Sequence, residues 1–141
     1  IRGGDGALRL LRKPADKFSA EEWLKRDGDE RDYTAAIAQD RDGVRCDDEG
    51  CVAHAPNGML IAASSRARAL AADCAAAAIV ISATPARGLC NGPQLVIDRF
   101  DVARNGAYGV WLTNGIQVQT VRAVRGDRPW SVWPRPRGFA Q

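Results

Sequence analysis

The apolar residues of this chain do not keep a single period, and each change of period marks a new element. The first dozen residues predict a hairpin, in which a short arm, the turn Gly3-Gly4-Asp5-Gly6 and a second arm at 7–12 follow one another. Then Phe18-Ser19-Ala20-Glu21-Glu22-Trp23-Leu24 switches to helical spacing, with Ser19 at the N-cap and Glu22 three residues on as a capping box. Phe18 and Trp23 fall at the positions of a hydrophobic staple. That helix should stop near Asp27-Gly28-Asp29, and a brief second one is expected over 33–39. Residues 43–64 alternate around two turns, Asp47-Asp48-Glu49-Gly50 and Pro56-Asn57-Gly58, and predict a small antiparallel meander.

From there the pattern becomes that of a layered α/β domain. An alanine-rich helix, capped by Ser64 or Ser65 and running to Ala76, feeds directly into the β-branched run Ile79-Val80-Ile81-Ser82. A loop with Pro85, Gly88 and Pro93 leads to a second apolar strand, Leu95-Val96-Ile97-Asp98, which ends in a carboxylate. One helical turn is expected over 101–104, closed by Asn105-Gly106. A hairpin over 108–112 and 116–124 then turns at Thr113-Asn114-Gly115, its second strand presenting Ile116, Val118 and Thr120 on one face. The fold class is therefore α/β, a mixed sheet with flanking helices and several β-hairpins.

The 141 residues suit one domain, and the apolar run over 70–81 is broken by Asp73 and too short to cross a bilayer. Because the chain opens at Ile1 with no signal-like segment, it reads as a domain excised from a larger protein. The charge is unevenly placed. Residues 1–64 carry 10 Lys/Arg against 13 Asp/Glu, whereas 65–141 carry 10 against 4. Beyond residue 124, Arg125, Arg128, Arg135 and Arg137 interleave with Trp130, Trp133, Phe139 and three prolines, so 1–124 reads as the domain and 125–141 as an Arg/Trp/Pro-rich tail. The four cysteines fall into two local pairs and predict disulfides Cys46–Cys51 and Cys74–Cys90, one of three pairings open to them. Reduced structural thiols and metal ligation are the alternatives. Disulfides would imply a periplasmic or extracellular setting.

Candidate chemistry is sparse. With His54 as its single histidine, the chain offers no ligand set for a binuclear zinc hydrolase and no imidazole-based triad, and no cofactor is expected. The acidic stretch Asp27-Gly28-Asp29-Glu30-Arg31-Asp32 lacks the closing glutamate of an EF-hand, and Gly3-Gly4-Asp5-Gly6 lacks the lysine of a phosphate loop. What remains is the basic, aromatic C-terminal region. Arg122, Arg125, Arg128 and Trp130 combine positive charge with a stacking platform and are the candidate nucleic-acid contacts.

The order of motifs resembles the C-terminal soluble domain of the ComEC family of DNA-internalisation competence proteins, in the form found in alphaproteobacteria. The resemblance covers nearly the whole chain. It is carried by the segment from Phe18 to Asp29, by Cys46 and Gly50-Cys51, by Ala72-Asp73-Cys74 with Ile79-Val80-Ile81-Ser82, and by Val96-Ile97-Asp98-Arg99 with Trp111-Leu112 and Gly115-Ile116. It implies a shortened metallo-β-lactamase-like scaffold. The family's His-x-His-x-Asp-His motif is absent, Ala83-Thr84-Pro85-Ala86 following the matching strand instead, so no hydrolase residue carries over. The resemblance further implies a non-catalytic periplasmic domain of an inner-membrane DNA-uptake channel. Its partners would be single-stranded DNA, the channel portion of the same polypeptide and other competence proteins. The alternatives are a metal-dependent nuclease using Asp73, Asp98 and Asp101, and a structural module for channel assembly.

Overall fold

The computed structural model describes residues 1–11, 17–37 and 43–127. Its centre is a five-stranded sheet in the order β1-β2-β3-β4-β5: Val44–Cys46, Gly50–His54, Leu60–Ser64, Ile79–Ser82 and Leu95–Asp98. The first three strands form the antiparallel meander expected from the two polar turns, while β3, β4 and β5 run parallel. Parallel neighbours need long crossovers. One passes through a 3₁₀ turn, Ala67–Ala69, and helix α3, Leu70–Ala76; the other is the loop 83–94.

Alternation along these strands sorts their side chains onto two faces. Ala62, Val80 and Val96 pack with Leu70, Cys74, Ala86 and Cys90, that is, against α3 and the second crossover. Ile61, Ile79 and Leu95 point the other way and meet Val110, Leu112 and Ile116. The latter three flank and form a hairpin of β6, Tyr108–Trp111, and β7, Gln117–Thr120. Burial on both faces explains why Ile79 and Val80 are both apolar, whereas Ile81, on the same face as Ile79, is 39% exposed. A separate small core joins Leu10, Ala20, Leu24 and Ala36 from the N-terminal segment, helix α1 (Lys17–Asp27) and helix α2 (Tyr33–Ala36). The N-terminal hairpin is present as an Arg2–Leu8 antiparallel bridge around a turn in which Gly6 adopts φ 81°.

Both disulfides form as paired in the sequence. Cys46 and Cys51 face each other across β1 and β2 with Cα atoms 4.0 Å apart, and Cys74–Cys90 clasps α3 to the crossover loop at 5.2 Å. Two disulfides place the domain in an oxidising, extracytoplasmic environment.

Several boundaries differ from expectation. Helix α1 starts at Lys17, so Ser19 lies inside its first turn and does not cap it. The staple also fails: α1 buries only Ala20 and Leu24, and this narrow stripe leaves Phe18 70% and Trp23 54% exposed. Helix α2 is capped by Asp32, whose carboxylate accepts from the Ala35 N–H, and it ends at Ala36 because Ile37 turns extended to bridge Leu10; residues 38–39 of the expected helix lie outside the described residues. Neither Ser64 nor Ser65 caps α3. Ser64 belongs to β3, is buried, and gives its hydroxyl to Asp73. The strand expected over 116–124 stops at Thr120, whose hydroxyl accepts from the Ala123 N–H and starts helix α5, Val121–Arg125. Its expected buried face is also incomplete, since Val118 is 43% exposed.

Candidate nucleic-acid interface

The carboxyl end of β5 initiates the C-terminal third of the fold. Asp98 is 1% exposed and caps helix α4, Arg99–Asn105: one carboxylate oxygen accepts from the Phe100 and Asp101 N–H groups, and the other from those of Ala86 and Arg87. Asp101 completes a capping box by accepting from the Asp98 N–H, and it is flanked by the guanidinium groups of Arg87 and Arg104, each at 2.6 Å. Burial pushes the Asp98 carboxyl upward, but the backbone donors converging on it outweigh that effect and hold it below the usual carboxylate range.

These contacts redefine the carboxylates considered as metal ligands. Asp98 and Asp101 do come together, but both oxygens of Asp98 are engaged by backbone donors and Asp101 is bound by arginines. Asp73 sits elsewhere, bonded to Ser64. Among the described residues no group of three His, Cys, Asp or Glu side chains is arranged to hold a metal ion.

Helix α4 in turn positions α5 and the β6–β7 hairpin. The Asn105 amide donates to the Tyr108 hydroxyl at 2.6 Å, and Arg122 reaches the Arg104 carbonyl at 3.5 Å. Of the expected nucleic-acid contacts, Arg122 and Arg125 lie one helical turn apart on α5. Arg122 is fastened by Asp127, which accepts at 2.9 Å, while Arg125 is exposed. Arg128 and Trp130 lie outside the described residues.

The structure adds a residue that was not among the expected contacts. In β6 the inward phase belongs to Val110, so Gly109 and Trp111 point outward. The six-membered ring of the Trp111 indole lies over Gly109, with ring carbons 2.6 and 2.8 Å from where a Cβ would stand, and the residue remains 50% exposed. Only glycine leaves room for this arrangement. Antiparallel register places Gln117 directly opposite Trp111 and Gln119 opposite Gly109, and both amides are exposed on the same face. Beside them Thr120, Val124 and Arg125 close a shallow depression of about 250 Å³. An exposed indole, two amides and an arginine can stack against a flat ring, hydrogen-bond its edge and attract an anion. The sequence signal is the outward phase of Gly109-x-Trp111 around Val110, which packs on the core.

Comparison with protein-family models, with curated proteins and with solved structures finds no match to this chain.

Proposed function

We propose that this domain docks single-stranded DNA outside the cytoplasm, as a non-catalytic module of a DNA-uptake channel held in the inner membrane. The observation that carries the reading is the Trp111 indole laid over Gly109, exposed beside Gln117 and Gln119 and next to the arginines of α5. Unpaired bases offer a π-face to such a platform, whereas a duplex hides them, and Arg122 and Arg125 supply charge for the backbone. The extracytoplasmic setting fits the two disulfides, and the resemblance to the ComEC family supplies the context of DNA uptake. Arg128 and Trp130 extend the same chemistry along the chain.

The test compares labelled single-stranded and duplex oligonucleotides by fluorescence anisotropy, using the wild-type domain and an Arg122→Glu/Arg125→Glu variant. The proposal expects preference for the single strand and loss of affinity on charge reversal. Equal affinity for both forms of DNA, or no change in the variant, would contradict it; no binding at low salt would leave the domain a structural module of channel assembly.

A further inference from the structure

We propose that the Cys46–Cys51 disulfide is a thiol–disulfide exchange site, open to a dithiol donor while Cys74–Cys90 remains a structural clasp. The two bonds sit in opposite surroundings. Cys74 and Cys90 are 7% and 8% exposed and belong to the core cluster between α3 and the crossover loop. Cys46 is exposed, at the end of the edge strand β1 where the chain turns into β2, and only its partner Cys51 is buried, at 8%. An incoming thiolate must approach a sulfur from solvent, so exposure separates exchangeable disulfides from inert ones.

A second feature concerns the product. The Leu11 carbonyl faces both sulfurs of the bond, 3.3 Å from Cys46 Sγ and closer still to Cys51 Sγ. A disulfide sulfur has no proton to give to that oxygen, but either thiol of the reduced pair does, so the reduced state finds a hydrogen-bond acceptor already in place. Strand β1 is three residues long and pairs only with β2. The covalent tie therefore governs an edge of the sheet, not its centre.

A donor thiolate attacks Cys46 Sγ, forming a mixed disulfide, and Cys51 leaves with the bonding electron pair as a thiolate. The donor's second thiol, once deprotonated, attacks its own sulfur in the mixed disulfide and expels the Cys46 thiolate. The two protons released by the donor protonate Cys46 and Cys51; the donor is oxidised to a disulfide and the protein gains two electrons.

The experiment treats the folded domain with graded dithiothreitol, alkylates free thiols with iodoacetamide and maps them by peptide mass. Cys46 and Cys51 should become labelled at least ten times faster than Cys74 and Cys90. Single variants locate the attacked sulfur: with glutathione disulfide, the free thiol of Cys51→Ser should form its adduct at least ten times faster than that of Cys46→Ser. A thioredoxin-type oxidoreductase lacking its resolving cysteine distinguishes the donors, since a trapped adduct at Cys46 identifies a protein dithiol, and exchange with dithiothreitol alone identifies a small one. Simultaneous reduction of both bonds, earlier loss of Cys74–Cys90, or equal reactivity of the two variants would overturn the proposal.

Discussion

Asp98 joins three segments through one carboxylate: the end of β5, the start of α4 and the crossover loop at Ala86 and Arg87. Replacing it with alanine strands several buried N–H groups, and the expected loss is about 3 kcal/mol or more in urea unfolding at neutral pH. The folded-state carboxyl is held below its ordinary value of 3.8, so its contribution is fully present above that value and is lost as pH falls through the lower, folded one. The stability gap between wild type and Asp98→Asn should therefore be widest at neutral pH and close in acid. Asp29 offers a local check on the same sign. The Arg31 side chain, helped by its backbone N–H, lowers the Asp29 carboxyl to about 2, and an NMR titration should find that midpoint return toward the normal range in Arg31→Ala. At this scale the sequence was a partial guide. It marked Asp98 as a carboxylate at a strand end, but not that donors converge on it from two sides, because the N–H groups of Ala86 and Arg87 belong to a loop distant in sequence, unlike those of Phe100 and Asp101.

Elements with a strong period were legible, and their ends were not. The runs Ile79-Val80-Ile81-Ser82 and Leu95-Val96-Ile97-Asp98 are strands as written, since β-branched residues favour a sheet and Ile79, Val80 and Ile97 are buried in it. Caps were misplaced where two residues compete for one role. Ser64 satisfies every local rule for a helix cap but lies in register with Ser82 at the end of β3, and its hydroxyl goes to Asp73. Thr120, expected within a strand, is a cap that was not foreseen, as are Asp32 and Asp98. Two glycine substitutions separate fold from function at this scale. A side chain at Gly50 would collide with the Ala63 backbone carbonyl on the neighbouring strand, so Gly50→Ala should cost about 1–3 kcal/mol in thermal or urea unfolding. At Gly109 the obstacle is the movable end of the Trp111 ring. Gly109→Ala should therefore unfold nearly as the wild type does, yet bind single-stranded DNA more weakly because the indole is displaced.

For the molecule as a whole, the layering of helix and crossover, mixed sheet and hairpin followed from the order of apolar patterns, and local spacing sufficed to pair the cysteines. The interface was less legible because it depends on which side of a short hairpin faces the core. That was decided by contacts of Val110, Leu112 and Ile116 with strands far away in sequence. Removing the core clasp by Cys74→Ser/Cys90→Ser, across a separation of 16 residues, should lower stability by roughly 3 kcal/mol, read by urea unfolding. DNA docking turns on the exposed indole, which is tested by anisotropy of a labelled single-stranded oligonucleotide titrated with wild type and Trp111→Ala. Stacking lost from one base should weaken binding about tenfold or more in the variant. With contacts from the two arginines of α5, Arg122 and Arg125, alone, wild-type binding should weaken by roughly sevenfold when salt rises from about 50 to 200 mM. Equal affinities for wild type and Trp111→Ala, with both still folded, would contradict the account.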